Sequence, residues 1–178
     1  QLAAEKMNMN QDHVAVASTG IIGELLPMDK IRAAIAEIDE ETHDGAQNFE
    51  QAILTTDTVT KQAAVQLEID GKVITIGGAA KGSGMIEPNM ATMLSFITTD
   101  AEVEADSLQQ ALREVTNQTF NMITVDGDSS TNDMVLVLAN GAQQNTPLND
   151  SHPEWSRFVN ALEMVSEELA KQIAKDGE

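Results

Sequence analysis

Apolar positions recur at two spacings along this chain, and the switches between them mark its elements. His13–Ser18 (HVAVAS) alternates with β-branched residues, which predicts a short strand. Ile31, Ala34, Ile35 and Ile38 follow Pro27 at helical spacing and predict an amphipathic helix over Pro27–Thr42. Gly45–Leu54 reads as a second, shorter helix or turn. Thr60–Ile69 and Lys72–Gly78 alternate on either side of Asp70-Gly71, a strong hairpin signal. The stretch 77–92 (GGAAKGSGMIEPNMAT) is rich in glycine and shows no period, so it predicts a loop of special backbone geometry beginning at Gly77. Met93–Thr98 is strand-like. Asp106 or Ser107 is expected to cap a helix bearing Leu108, Ala111, Leu112, Val115 and Thr119. A polar segment, DGDSSTND, separates it from a strand at Met134–Ala139. Pro153–Lys175 reads as the longest helix, with Phe158, Leu162, Val165, Leu169 and Ile173 on one face. Hairpins mixed with long helices predict an α+β layered domain.

Composition narrows the chemistry. The 178 residues include 10 Lys and Arg against 29 Asp and Glu, a formal charge of −19. Nucleic-acid backbones and anionic membrane surfaces select for the opposite sign, so neither is expected as a partner. The hydrophobic share of 42% suffices for a core, and with few aromatics that core must come from Ile, Leu, Val, Ala and Met. Cysteine is absent, which removes disulfides, thiolate metal sites and a Cys nucleophile and fits a reducing, cytoplasmic setting. No apolar run reaches the roughly 20 residues that span a bilayer. The chain opens on Gln1, and a native N-terminus is expected upstream.

No metal site is expected. His13, His43 and His152 stand far apart without an HExxH pattern. Asp126, Asp128 and Ser130 resemble the start of a calcium loop, yet Thr131 and Val137 occupy the places that need Gly and Glu. Lys81 lies in the Gly-rich stretch without the order of a phosphate-binding loop, and Ser83 lacks the nucleophile-elbow pattern. Hydroxyl chemistry without histidine remains. A Thr hydroxyl needs a base, and the α-amine freed by a cut just before a Thr can serve, with a pKa near 7.7–8.0. The same hydroxyl can make the cut by attacking the preceding carbonyl. This requires a small preceding residue, a constrained loop and an oxyanion hole. Ala91-Thr92, after the Gly-rich stretch and before a strand, meets the sequence requirements.

Five segments then occur in order: ASTGIIGELLPM at Ala17–Met28, AILTTDT at Ala52–Thr58, KGSGMIEPNMATMLSFITTDA at Lys81–Ala101, FNMITVDGDSSTND at Phe120–Asp133 and LAKQIAKDGE at Leu169–Glu178. Together they resemble the ornithine acetyltransferases, the bifunctional glutamate N-acetyltransferase/amino-acid acetyltransferases of arginine biosynthesis. The resemblance covers essentially the whole chain. It implies a layered α/β sandwich with an N-terminal nucleophile, formed when the precursor cuts itself between Ala91 and Thr92. Residues 1–91 would then be the C-terminal part of an α chain and 92–178 the N-terminal part of a β chain, together one catalytic-core fragment of a longer protein. Thr92 would take the acetyl group from N2-acetylornithine and pass it to glutamate in a ping-pong cycle, with acetyl-CoA a further donor in bifunctional members. Thr19 and Gly20 match the oxyanion-hole pair. Thr58, Lys81, Thr92 and Glu178 match substrate-contacting positions. The resemblance further implies an α2β2 heterotetramer, no cofactor, and small molecules as the only partners. DGDSSTND is a hallmark of the same family whose role the residues alone do not define. Two alternatives stay open at this point: a self-cleaving aminopeptidase or other hydrolase with water as acceptor, and an inactive scaffold, since the fragment alone is expected to lack a complete pocket.

Overall fold

The computed structural model describes residues 1–21, 23–38, 45–84, 86, 93–127 and 130–177. It divides into two compact units, Gln1–Asn48 and Phe49–Glu178. The boundary expected at residues 91 and 92 concerns cleavage rather than folding, and it falls inside the second unit.

The first unit holds helices α1 (Leu2–Lys6) and α2 (Met28–Glu37) and one turn of 3-10 helix, Gln11–His13. Lys6 Nζ donates to the Ala36 carbonyl at 3.2 Å and ties the two helices. The strand expected at His13–Ser18 is not formed. Its alternation has no neighbouring strand among the described residues, and a lone strand leaves its amides without partners. The helix expected over Pro27–Thr42 runs from Met28 to Glu37, with Pro27 as its N-cap and Ile38 turned out to an extended conformation. Residues 39–44 lie outside the described residues. Helix α3 (Gly45–Ala52) takes the place of the expected short helix or turn.

The second unit is built on a four-stranded sheet in the order β1 (Lys61–Ile69), β2 (Lys72–Lys81), β3 (Leu94–Thr99) and β4 (Met134–Ala139). The first three strands are antiparallel, and β4 joins β3 in parallel after a crossover that contains α4 (Ala105–Gln118). Asp70 (φ 53) and Gly71 (φ 71) both adopt positive φ, as a two-residue hairpin turn requires. Helix α5 (Trp155–Lys175) lays Phe158, Leu162, Val165, Leu169 and Ile173 against Ile74, Ile76 and Ile97 of the sheet, all buried. These residues and Ile69 make a mainly aliphatic core, with Phe158 its aromatic member, in keeping with the scarcity of aromatic residues. The architecture is α+β, as the pattern predicts.

Two local expectations are corrected. The Gly-rich loop does not begin at Gly77, because β2 continues to Lys81 and Gly77 and Gly78 pair with strands on both sides. A Cβ at Gly78 would lie 3.0 Å from Ile97 Cγ1 and 3.1 Å from both Leu169 Cδ1 and the Phe96 carbonyl, so glycine is what lets α5 close on the sheet. Gly78→Ala is expected to destabilise the unit by about 1–3 kcal/mol through overpacking, read as a lowered urea midpoint. Nor do Asp106 or Ser107 cap α4. The helix starts at Ala105 with Glu104 as N-cap and no side-chain bond. The backbone holds this end instead, through Glu104 N–H to Leu148 O at 3.0 Å beside the Val103–Leu148 bridge.

Candidate active site

The most polar part of the interior lies where the loop before β1, the end of β2 and the end of α5 meet. Lys61 opens β1 on the same face as Ala63, Val65, Leu67 and Ile69, so strand parity turns its ammonium inward. It is 0% exposed. Its three N–H donors meet three acceptors: Asp176 Oδ2 at 2.6 Å, Asp57 Oδ1 at 2.7 Å and the Val59 carbonyl at 3.2 Å. Asp57 also receives the Gly82 amide at 2.5 Å and the Thr55 amide at 3.1 Å. Gly82 has φ +153, a conformation that glycine tolerates and other residues rarely adopt. Asp176 receives both the amide of Thr58, at 3.0 Å, and its hydroxyl.

These contacts set the charges. Burial pushes the Asp57 and Asp176 carboxyls up, but the hydrogen bonds outweigh it. Lys61, Gly82 and Thr55 hold Asp57 below the usual range, and Lys61 and Thr58 hold Asp176 at about 2. Two carboxylates around one lysine leave a surplus negative charge. Lys81, 1% exposed, supplies a second cation nearby, with Nζ 3.5 Å from Thr55 Oγ1. Burial lowers its pKa, while the charges of Asp57 and Asp133 partly restore it.

Asp133 belongs to the second part of the site. Its Oδ1 accepts the Met93 amide at 2.8 Å, and its Oδ2 is buried with no hydrogen-bond partner among the described residues. Burial raises this carboxyl to about 6 against the opposing effects of Met93, Ser130 and Lys81. Beside Met93 and Asp133 opens a cleft of about 450 Å³, walled by Leu112, Arg113, Thr116 and Phe120. That is room enough for an amino-acid-sized molecule.

Of the residues expected from sequence, Thr58 and Lys81 are brought to one network, linked through Asp176, Lys61, Asp57 and Gly82. The Thr58 hydroxyl is spent on Asp176. Thr19, half-buried, and Gly20, exposed, belong to the first unit. Ala91, Thr92 and Glu178 lie outside the described residues. Sequence reasoning missed Asp57, Lys61 and Asp176 as a group. A signal was present: Lys61 is a lysine at an inward position of a strand, in a chain with only ten basic residues. The calcium-like string is put to another use, with Asp126 Oδ1 accepting the Ile86 amide at 2.8 Å.

The arrangement defines a class: an α+β unit whose sheet ends in a buried lysine–carboxylate centre, with a Gly- and Thr-bearing segment leading into its third strand. The profile of the ArgJ family matches residues 1–178, and the chain belongs to that family. It is 68% identical over its whole length to the arginine biosynthesis bifunctional protein ArgJ of Oceanobacillus iheyensis, covering 44% of that protein. It is 59% identical over 98% of its length to the protein of the same name from Bacillus subtilis, covering 43% of it. A crystal structure of arginine biosynthesis bifunctional protein argJ from Bacillus halodurans matches 49% of the chain and 41% of its own, at 59% identity and a TM-score of 0.48. The chain thus spans less than half the length of the relatives it matches. The membership bears out the resemblance carried by the five segments. Among the described residues no helix is long and apolar enough to cross a membrane.

Proposed function

We propose that this chain is the acetyl-transfer core of an arginine-biosynthesis enzyme in the cytoplasm, moving an acetyl group from N2-acetylornithine to glutamate through Thr92. Family membership over the full chain is the observation that carries this reading. The Met93 amide, tied to half-buried Asp133 beside a cleft, supports it, because Met93 is covalently joined to the nucleophile.

The chemistry has two stages. In the precursor the Thr92 hydroxyl attacks the Ala91 carbonyl carbon. A C–O bond forms, the Ala91–Thr92 C–N bond breaks, and the proton moves to the departing nitrogen. The Thr92 amine is then free, and water hydrolyses the ester to release the Ala91 carboxylate and the Thr92 hydroxyl. In turnover the amine takes the hydroxyl proton as oxygen attacks the acetyl carbonyl of acetylornithine. Ornithine leaves carrying that proton, and the glutamate amine attacks the acetyl ester and restores Thr92. Thr19 and Gly20 would stabilise the tetrahedral oxyanions. Lys81 would hold a substrate carboxylate with a charge-assisted bond. Thr58 would contact substrate by exchanging its bond to Asp176, and Glu178 would receive the ornithine amine. No cofactor takes part, acetyl-CoA would be a second donor, and the cleaved chains would assemble as α2β2.

The test uses the full-length protein. Incubation with acetylornithine alone is expected to leave one acetyl group on the Thr92-bearing peptide by mass spectrometry, and adding glutamate to discharge it as N-acetylglutamate. Ornithine release at a rate indifferent to glutamate would instead establish hydrolysis.

A further inference from the structure

We propose that Asp126 and Asp133, from the acidic stretch 124–133, form a two-point clamp that fixes the two ends of the segment that carries the scissile bond. This rests on the cleavage reading above and assigns positioning residues to it. Upstream of the bond, Ile86 is fully buried and gives both backbone groups to the loop. Its N–H donates to Asp126 Oδ1 at 2.8 Å, and its carbonyl accepts Val125 N–H at 2.7 Å and Thr124 Oγ1 at 3.2 Å. Downstream, Met93 does the same. Its N–H donates to Asp133 Oδ1 at 2.8 Å and its carbonyl accepts Met134 N–H at 3.1 Å. Both carboxylate–amide pairs are separated by 40 positions, so the loop and the segment it spans have matched lengths between their anchors. The loop is itself braced, since a Cβ at Gly177, just after Asp176, would lie 2.8 Å from Val125 Cγ2.

Fixing both ends has a chemical purpose. Attack of Thr92 on Ala91 joins groups one residue apart, and its rate depends on how much of the time the segment holds an attack geometry. Anchors on each side remove most of the alternatives before the reaction, the advantage that oriented intramolecular reactions enjoy. Each carboxylate works as a hydrogen-bond acceptor for an amide, not as a reacting group. After the cut the two anchors part company: Asp126 keeps the new end of the upstream chain, and Asp133 keeps the peptide following the nucleophile.

The experiment compares Asn and Leu at each position in the full-length protein. Asn offers an acceptor oxygen to the same amide; Leu offers none. Cleavage is followed from precursor to split chains by pulse-labelling in cell-free translation, alongside hydrogen-exchange protection of the Ile86 and Met93 amides. D126L and D133L are expected to slow cleavage by about a hundredfold and to lose protection at Ile86 and Met93 respectively, with protection in β1 and α5 retained. D126N and D133N should restore both. Leu variants that split at the wild-type rate, or Asn variants as slow as Leu, would overturn the clamp. If the wild type itself does not split, the cleavage reading falls. Site-specific loss of protection then still upholds the two anchors, and unchanged protection refutes them.

Discussion

Replacing Lys61 by methionine is expected to cost about 3–5 kcal/mol of stability, measured as the loss in unfolding free energy in urea. The side chain fits by volume, so the loss is electrostatic. Without the ammonium, Asp57 and Asp176 face each other in the interior with only amide and hydroxyl donors left. A triple variant that adds Asp57→Asn and Asp176→Asn should recover much of the loss, because the remaining groups are neutral. Acid separates the cases further. In the wild type Asp176 is held at about 2, below its unfolded value near 4. The unfolded chain therefore binds more protons between those values. The contribution of this carboxylate is present above pH 4 and drains away as pH falls toward 2. In Lys61→Met the carboxyls lose the partner that lowered them and burial pushes them upward, so stability should rise on mild acidification.

Thr92→Ala in the full-length protein is expected to leave the chain uncut and to lower acetyl transfer by about 10⁴-fold or more, to background. In the proposed mechanism a single oxygen would serve both as cleaving agent and as acetyl carrier, so its removal should not spare one activity. Thr92→Ser keeps the hydroxyl and should retain both at reduced rates, since it lacks the methyl that restricts rotation about χ1. Gel separation of the two chains together with an ornithine-release assay reads both outcomes. An Ala variant that still splits at this bond and still transfers acetyl would refute the proposed function.

Much of the second unit is legible in the residues alone because its signals are local. Asp70-Gly71 dictates the hairpin, and the five apolar positions from Phe158 to Ile173 dictate the helix that covers it. The errors arise where a distant group decides. His13–Ser18 alternates like a strand, but no neighbouring strand among the described residues completes it. Gly77 and Gly78 look like a loop until both are seen to pair with β1 and β3, and Ile97 and Leu169 to crowd Gly78 from β3 and α5. The candidate site divides the same way. Thr58 and Lys81 came from motif resemblance, whereas the partnership of Lys61 with Asp176 joins residues 115 positions apart, which no local spacing encodes.

The strand order carries a consequence for the life history of the molecule. If the chain is cut as proposed, the upstream product would own β1 and β2, and the downstream product β3, β4 and the helix that covers the hairpin. Their shared seam would comprise the β2–β3 ladder, the packing of α5 on β1 and β2, and the Lys61–Asp176 pair, so each product alone would expose a raw sheet edge or a bare apolar face. On that reading one polypeptide would fold once and become two subunits that have never met as strangers. Unfolded after such a cut, they would have to find each other by diffusion, and the rate of recovery would become second order in protein. The bond that the proposed cleavage would remove is thus the one that makes assembly a first-order event.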